Sequence, residues 1–494
     1  MNRAAALGLE MVERRLREAG LLVNGVQGDT RLYGVSDDSR TVRPGDLFCA
    51  WRGTSFDAHE FVGAAARAGA VAALVERPVA DAAIPQLVVR DGREAAAIGA
   101  ALVFGDPQSA LVLAGVTGTN GKTTSVWILR HLLGLRWRAA SLGTLGVILE
   151  DGSVLEGSER LTTPGPVELA RTLRQLADRG VECLAMEVSS HALDQKRVHA
   201  LPFDVAVFTN LTRDHLDYHG TLERYRAAKL SLATQLRPGG GAAINAGDVA
   251  WAPVPAIASR VLRFGIEADA DLVAKHVKLG EYGCRFDCSY HGTTVEVSVP
   301  LVGSFNVENA LAAVAGCLVL DFELEQTCAR LATVPQVPGR LERLVEQPFI
   351  VLRDYAHTPD ALARALRAAR PLAKGRLIVV FGAGGDRDRG KRPLMAEAAA
   401  ANADVVIVTS DNPRTEDPDA IIDEIVAPLP ESRRLRMTDR REAIAAALRT
   451  AHPGDVVLLA GKGHETYQVI GTTRIPFDEK IIVQELLMSG GTAG

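Results

Sequence analysis

ALVLAGVTGTNGKTTSVWILRHLL, residues 110–133, runs from an unbroken apolar stretch through a glycine-rich turn into a helical pattern. An apolar run of that kind is a strand covered on both faces, which is the character of a parallel sheet. The turn Gly118-Thr119-Asn120-Gly121-Lys122-Thr123-Thr124 then opens the helix. Backbone N–H groups of such a turn, with the helix N-terminus behind them, form a nest for phosphate. Lys122 adds a point charge for the β- and γ-phosphates of a nucleotide, and the Thr123 hydroxyl suits Mg²⁺. The strict phosphate-loop pattern would place glycine at 116, where this chain has Val116, so the loop is a variant whose first glycine is Gly118.

Outward from this stretch the same phrase recurs. CLAMEVSS (183–190) and DVAVFTN (204–210) are apolar strands that end in polar loops and lead into helical segments. The alternation predicts a mostly parallel sheet with helices on both faces, spanning residues 106–337. Residues 269–302 alternate at period two and predict an antiparallel appendage, and helices are expected near 306–320 and 323–333. PQVPGRLE (335–342) interrupts the helical pattern and reads as a linker. Beyond it FIVLRDYAH, RLIVVFGAGG, ADVVIVTSDNPR and GDVVLLAGKG each end an apolar strand in a polar loop, so 338–494 reads as a doubly wound, Rossmann-like domain. Upstream, DLFCAW (46–51), VAALVE (71–76) and PQLVVR (85–90) predict a small α/β binding unit over 1–105. The fold class is therefore α/β in three domains, the central one a phosphate-loop ATPase.

Composition narrows the function. Of 494 residues, 55 are Lys or Arg and 60 are Asp or Glu, a net charge of −5 that argues against a general nucleic-acid binder. No apolar run reaches the ~18–20 residues of a membrane-spanning helix, and the N-terminal stretch reads as an amphipathic helix rather than a signal peptide. Six dispersed cysteines without a CxxC pair read as buried reduced thiols. A cytoplasmic protein is expected.

Several strand-end residues are candidates for chemistry. Glu187 is placed to give Mg²⁺ one carboxylate, or to be a buried, hydrogen-bonded glutamate. His215 and His219 are loop histidines with or without a role. In the C-terminal domain, Asp354, Gly384-Gly385-Asp386-Arg387, Asp411-Asn412-Pro413-Arg414 and Gly461 to Glu465 share one edge. Two arginines opposite Asp411 and Glu465 could clamp a zwitterion, and solvated loops paired among themselves are the alternative.

These motifs together resemble the Mur ligase family. The resemblance extends over nearly the whole chain: DSR (38–40) with PGDLF (44–48), GTNGKTT (118–124), TTPGP (162–166), MEVSSHALDQKRV (186–198), NLTRDHLDYHG (210–220), GSFNVENALAA (303–313), PGRLE (338–342), DYAHTPDAL (354–362), GGDRDRGKRP (384–393), DNPR (411–414) and GKGHE (461–465). It implies a domain for a UDP-linked substrate, a central ATPase and a domain that brings an amino acid. It also implies ATP and Mg²⁺, an acyl-phosphate route to an amide bond, and a place in peptidoglycan precursor synthesis.

Residue by residue, the resemblance assigns Ser39 and the loop Ser55, Phe56 and Asp57 to the uridine nucleotide. Thr162, Thr163, Ser189, Gln195 and Arg197 fall to the muramoyl-dipeptide. Asn306, Arg340 and Asp354 fall to ATP, the last two from across the domain boundary, so that closure would assemble the site. Lys229 would be a carbamylated lysine whose new carboxylate helps place Mg²⁺, with a plain helical lysine as the alternative, and His215 would be a second-metal ligand. Arg387, Asp411, Asn412, Pro413, Arg414, Gly461 and Glu465 match the amino-acid pocket, and DNPR is the pattern of the diaminopimelate-adding members. The implied partners are UDP-N-acetylmuramoyl-L-alanyl-D-glutamate and meso-2,6-diaminopimelate, with a monomer expected. Leu161 stands where some members carry asparagine. Rival readings are a ligase for another acceptor and a nucleotide-dependent binding protein. Lys122, Thr123, Glu187, His215 and Lys229 are all present, which speaks against the second.

Overall fold

The computed structural model describes residues 6–26, 28–53, 56–158, 161–431 and 435–490. Contacts divide the chain into two compact units, one of residues 1–274, 288–295 and 308–330, the other of 275–287, 296–307 and 331–494. Each domain expected from the sequence carries one principal sheet.

In the N-terminal segment the order is Leu22–Asn24, Gln86–Val89, Ala72–Val75, Asp46–Cys49, Gly34–Ser36, parallel after the first pair. Helix Leu9–Glu18 buries Leu9, Val12 and Leu16 on one face, the i, i+3, i+7 stripe of a surface helix. The three strands expected here are present within two residues of their predicted ends.

The central sheet has ten strands, with Val112–Thr117 between Cys183–Glu187 and Phe203–Phe208. Pairing is parallel from Ala139–Gly143 through Leu272–Gly280. The strands from 272 to 299, expected as an appendage, continue this sheet instead. Parallel Cα partners Phe264 with Leu272 and Ile266 with Ala274 join them to it. Alternation in the sequence revealed the strands but not the neighbour they would pair with. Helices Phe305–Val319 and Leu324–Leu331 fall where the pattern placed them.

The C-terminal sheet runs Glu342–Val345, Ile350–Asp354, Val456–Ala460, Leu377–Phe381, Val405–Thr409, Leu435–Met437. All but the first pair are parallel. Every residue of Leu377–Phe381 is fully buried, because helices pack on both faces. Helices Pro359–Ala369, Lys391–Asn402 and Pro418–Val426 cover one side, and Arg440–Thr450 with Glu479–Gly490 the other. Parallel strands of this kind open their polar loops at one edge, where ligands bind in such sheets. Among the described residues no helix is long and apolar enough to cross a membrane, and all six cysteines are free and buried.

Candidate active site

The loop between Thr117 and Lys122 is shaped by two glycines. Gly118 has φ +151° and a Cβ there would collide with the Thr209 hydroxyl; Gly121 has φ +83° and a Cβ there would collide with the Asn309 amide. Only glycine satisfies both the backbone and the space. The loop is also tied to the end of the next strand. Thr119 N donates to Asn210 O (2.7 Å), Asn120 N to Asn210 Oδ1 (2.9 Å), and Thr212 N to Thr119 Oγ1 (3.0 Å).

Two lysines converge on this loop. Lys122 Nζ donates to Gly118 O and Thr119 O, both at 2.9 Å. Lys229 Nζ, from helix Leu222–Leu230, donates to the same Gly118 O at 2.7 Å. Lys229 is buried, lies 4.5 Å over the Tyr225 ring, and Tyr225 Oη meets Thr119 Oγ1 at 3.1 Å. Burial first, and the charge of Lys122 second, push the Lys229 ammonium far below the usual lysine range. His215 sits just before helix Leu216–His219 with φ +51°, its ring 4.8 Å from that of His191. Burial lowers its pKa, with Lys122 and Lys229 helping and Asp214 opposing, so the imidazole is neutral at pH 7 and available as a ligand.

Glu187, at the end of its strand, is buried and accepts from Thr144 N (2.8 Å) and Thr144 Oγ1 (3.2 Å). Its carboxylate and Thr123 line one small cavity with Ser141 and Gly143. Among the described residues no three His, Cys, Asp or Glu side chains converge to hold a metal ion. Mg²⁺ keeps waters and takes one or two carboxylates with phosphate oxygens rather than a protein cage. A buried carboxylate beside a hydroxyl at the phosphate loop fits this chemistry.

The residues assigned to the dipeptide form one network adjoining Glu187. Thr163 Oγ1 donates to Glu187 O (2.8 Å) and accepts from Ser189 N (3.1 Å), and Thr162 Oγ1 meets Thr144 Oγ1 at 3.2 Å. Arg197 donates to Thr163 O (2.7 Å) and to Gln195 Oε1 (2.7 and 3.1 Å), and Gln195 reaches the Tyr218 hydroxyl (3.1 Å). Ser189 Oγ caps helix Ser190–Asp194.

In the N-terminal segment Ser39 is half-buried, and Phe56 is exposed and packs edge-on against Phe61. Asp57 caps the turn Ala58–Phe61, and its carboxyl is held well below its ordinary range by Arg77, then by His59. Ser55 lies outside the described residues.

The C-terminal unit gathers its own polar loops. Asp354 accepts from Leu341 N and Ala356 N, both at 2.8 Å, and so fixes the turn that carries Arg340. Arg340 stacks 4.8 Å over Tyr355, and Asn306 donates to Val302 O at 2.7 Å. Arg414, at φ +53°, donates to Gly385 O (2.7 Å), and Arg387 to Asp386 O (3.1 Å). Pro413 O lies where a Cβ on Gly385 would stand, and a Cβ on Gly461 would stand 3.1 Å from Asp411 Oδ2.

Lys462 joins this cluster without having been singled out by the sequence. Its Nζ donates to Asp411 Oδ1 (3.2 Å), Asn412 Oδ1 (3.0 Å) and Glu465 Oε2 (3.1 Å). Asn412 Nδ2 also donates to Glu465 Oε2 at 2.9 Å. Burial pushes the Asp411 carboxyl up, but Lys462 and Arg440 outweigh it and hold it ionised. Arg440 is fully buried, pairs with Glu479 at 2.8 Å, and donates to Ser410 O (3.3 Å) and Ala460 O (2.9 Å). Thr144, Tyr225, Lys462 and Arg440 are the functional neighbours that motif reading missed. The signal available for Lys462 was a charge one glycine beyond a fully apolar strand, Val456–Ala460.

Comparison with known proteins agrees with this architecture. Three family models match in order: Mur ligase family, catalytic domain, at 31–104; Mur ligase middle domain at 116–317; and Mur ligase, glutamate ligase domain, at 339–463. A UDP-N-acetylmuramoyl-L-alanyl-D-glutamate–2,6-diaminopimelate ligase of Geobacillus thermodenitrificans is 45% identical over 469 residues, covering 92% of this chain and 95% of that protein. The same-named protein of Synechococcus elongatus is 44% identical, covering 92% and 93%. A solved structure of a ligase of that name superposes with a TM-score of 0.70 at 32% identity, covering 99% of this chain and 100% of the other. By sequence and by fold, this chain belongs to the Mur ligase family.

Proposed function

We propose that this chain is an ATP-dependent ligase that adds meso-2,6-diaminopimelate to UDP-N-acetylmuramoyl-L-alanyl-D-glutamate in peptidoglycan precursor synthesis. One observation carries the reading: Thr123, just after the phosphate loop, and Glu187 line one cavity, and Glu187 O is bonded by Thr163 of the Thr163–Arg197 network, which supports a phosphate donor and a carboxylate acceptor side by side. The names of the relatives, at 40–45% identity, supply the substrates.

A carboxylate is a poor electrophile and its charge repels the γ-phosphate. The N-terminus of helix Lys122–Leu133 and the Lys122 ammonium offset that repulsion and stabilise the charge that develops in transfer. Arg197 and the threonines hold the acceptor. An oxygen of the D-glutamyl carboxylate attacks the γ-phosphorus, the bond to the bridging oxygen breaks, and ADP leaves. The amine then attacks the acyl carbon, phosphate departs with the C–O electron pair, and the new amide nitrogen sheds its proton. Thr123, Glu187 and His215 would hold Mg²⁺, which supplies further charge neutralisation at the phosphates when bound. Burial, with the charge of Lys122, lowers the pKa of the Lys229 amine and so favours its addition to CO₂, with loss of a proton, to give the carbamate expected from the family pattern.

Ser39, Ser55, Phe56 and Asp57 are assigned to the uridine nucleotide, and Asn306, Arg340 and Asp354 to ATP. Arg387, Asp411, Asn412, Pro413, Arg414, Gly461 and Glu465 take the amino acid. Domain limits at 105/106 and 337/338, a monomer and a cytoplasmic site of action complete the reading.

The test is phosphate release from ATP and Mg²⁺ with UDP-N-acetylmuramoyl-L-alanyl-D-glutamate, comparing meso-diaminopimelate, L-lysine and no amino acid. Turnover only with diaminopimelate is expected. Turnover with lysine would keep the ligase and overturn the pocket assignment; none with either would overturn the reading.

A further inference from the structure

The amino-acid pocket has a charge balance that the contacts of its loops make explicit. Asp411 and Glu465 bring two carboxylates, and Arg414 brings a guanidinium. The Lys462 side chain is fully buried, and its three N–H donors go to Asp411 Oδ1, Asn412 Oδ1 and Glu465 Oε2. Each carboxylate thus gives one oxygen to Lys462 and keeps a second, Asp411 Oδ2 and Glu465 Oε1. Arg440, close behind, is neutralised by its own buried partner Glu479. At the rim Arg387 donates to the Asp386 carbonyl, and the Asp386 carboxylate is held by Thr415 N and Oγ1. With Lys462 counted, the charges of Asp411, Glu465, Arg414 and Lys462 sum to zero while their poles stay apart: acceptor oxygens at Asp411 and Glu465, donors at Arg414.

We infer that Lys462 is a specificity-determining positioning residue, which sets the pocket to accept an amino-acid end carrying both an ammonium and a carboxylate over one carrying an ammonium alone. This rests on the proposed function. A zwitterionic end places its carboxylate on Arg414 and its ammonium on the remaining carboxylate oxygens, leaving no net charge in the site. A lone ammonium adds an uncompensated positive charge to a neutral enclosure and leaves Arg414 unpaired. Without Lys462 the same loops carry one net negative charge, which suits a lone cation. The lysine therefore acts by exclusion as much as by holding the loops in register.

The experiment measures kcat and KM for meso-diaminopimelate, L-lysine and ATP in wild type, Lys462→Met and Lys462→Met/Glu465→Gln, with melting temperature as the check on folding. Loss of one compensating charge should raise the diaminopimelate KM about tenfold or more and lower the diaminopimelate-to-lysine ratio of kcat/KM by about tenfold or more. The ATP KM should stay within about twofold, since the nucleotide contacts lie on other residues. The double variant restores neutrality, so its ratio should move back toward wild type even though binding is weaker. If Lys462→Met does not fold, Lys462→Gln takes its place, retaining a donor for Asn412 while removing the charge. A folded variant with both amino acids affected equally and the ratio unchanged would overturn the inference and make Lys462 a structural tie only. Failure of wild type to use diaminopimelate would instead overturn the proposed function, so the two failures are distinct.

Discussion

Replacing Arg440 by methionine isolates what holds the ends of two sheet strands. Arg440 and Glu479 are both fully buried and pair at 2.8 Å, and the guanidinium also holds Ser410 O and Ala460 O, the carbonyls just before Asp411 and Gly461. Glu479 Oε2 has no hydrogen-bond partner, so Arg440 is its main compensation. Removing one member of a buried pair costs about 3–5 kcal/mol, because the other charge stays desolvated. At about 1.4 kcal/mol per factor of ten, amide protection of strands Val405–Thr409 and Val456–Ala460 should fall by roughly two to three and a half orders of magnitude. The assay is native-state hydrogen exchange of the full chain, with peptides spanning the two strands. Arg440→Met/Glu479→Leu removes both charges, leaving only two carbonyls short of a donor at about 1 kcal/mol each. The double variant should therefore recover most of the protection. A single variant that loses less than tenfold, or a double variant no better than the single, would refute the account.

Two further outcomes follow from the site and its surroundings. Lys122→Ala should abolish phosphate release while melting close to wild type, because Lys122 donates only to its own loop's carbonyls among its hydrogen bonds described above; a folded, active variant would end the catalytic assignment. Glu416 is held down from an ordinary 4.5 to about 2, first by Arg392 and then by the Asp386 amide. Its folded pKa is depressed, so its contribution to stability is present above about pH 4.5 and is lost as pH falls toward 2. The difference in denaturation midpoint between wild type and Glu416→Gln should therefore close over that window; a constant difference would contradict it.

Much of this was legible because the chain repeats one phrase. Each apolar strand that ends in a polar loop names both a parallel strand and a ligand-facing edge, so the three sheets and most site loops could be read directly. The 272–299 strands were visible as strands, but which sheet they would extend depends on the pairing of Phe264–Ile266 with Leu272–Ala274, and alternation does not encode a neighbour. A lysine between two glycines ordinarily faces water, so Gly461-Lys462-Gly463 carries no local sign of the burial of Lys462. Its full burial follows from Asp411, Asn412 and Glu465, residues 50 or 51 positions away in two cases, and only tertiary structure brings them together. Asp57 and Asp354 show the reverse case. Motif position marked them, and local hydrogen bonding gives each a task in shaping a turn.

The bonds from residues 119 and 120 to the strand end at 209–212 also bear on the thermodynamics of nucleotide capture. Fixing the backbone of a free loop costs about 1–2 kcal/mol per residue, so ordering the four residues 118–121 on binding would consume several kcal/mol of contact energy. Here that entropy is surrendered when the chain folds, through Asn210 and Thr212. The phosphates then meet a cradle already set, and the favourable enthalpy of their contacts passes into affinity with little conformational penalty.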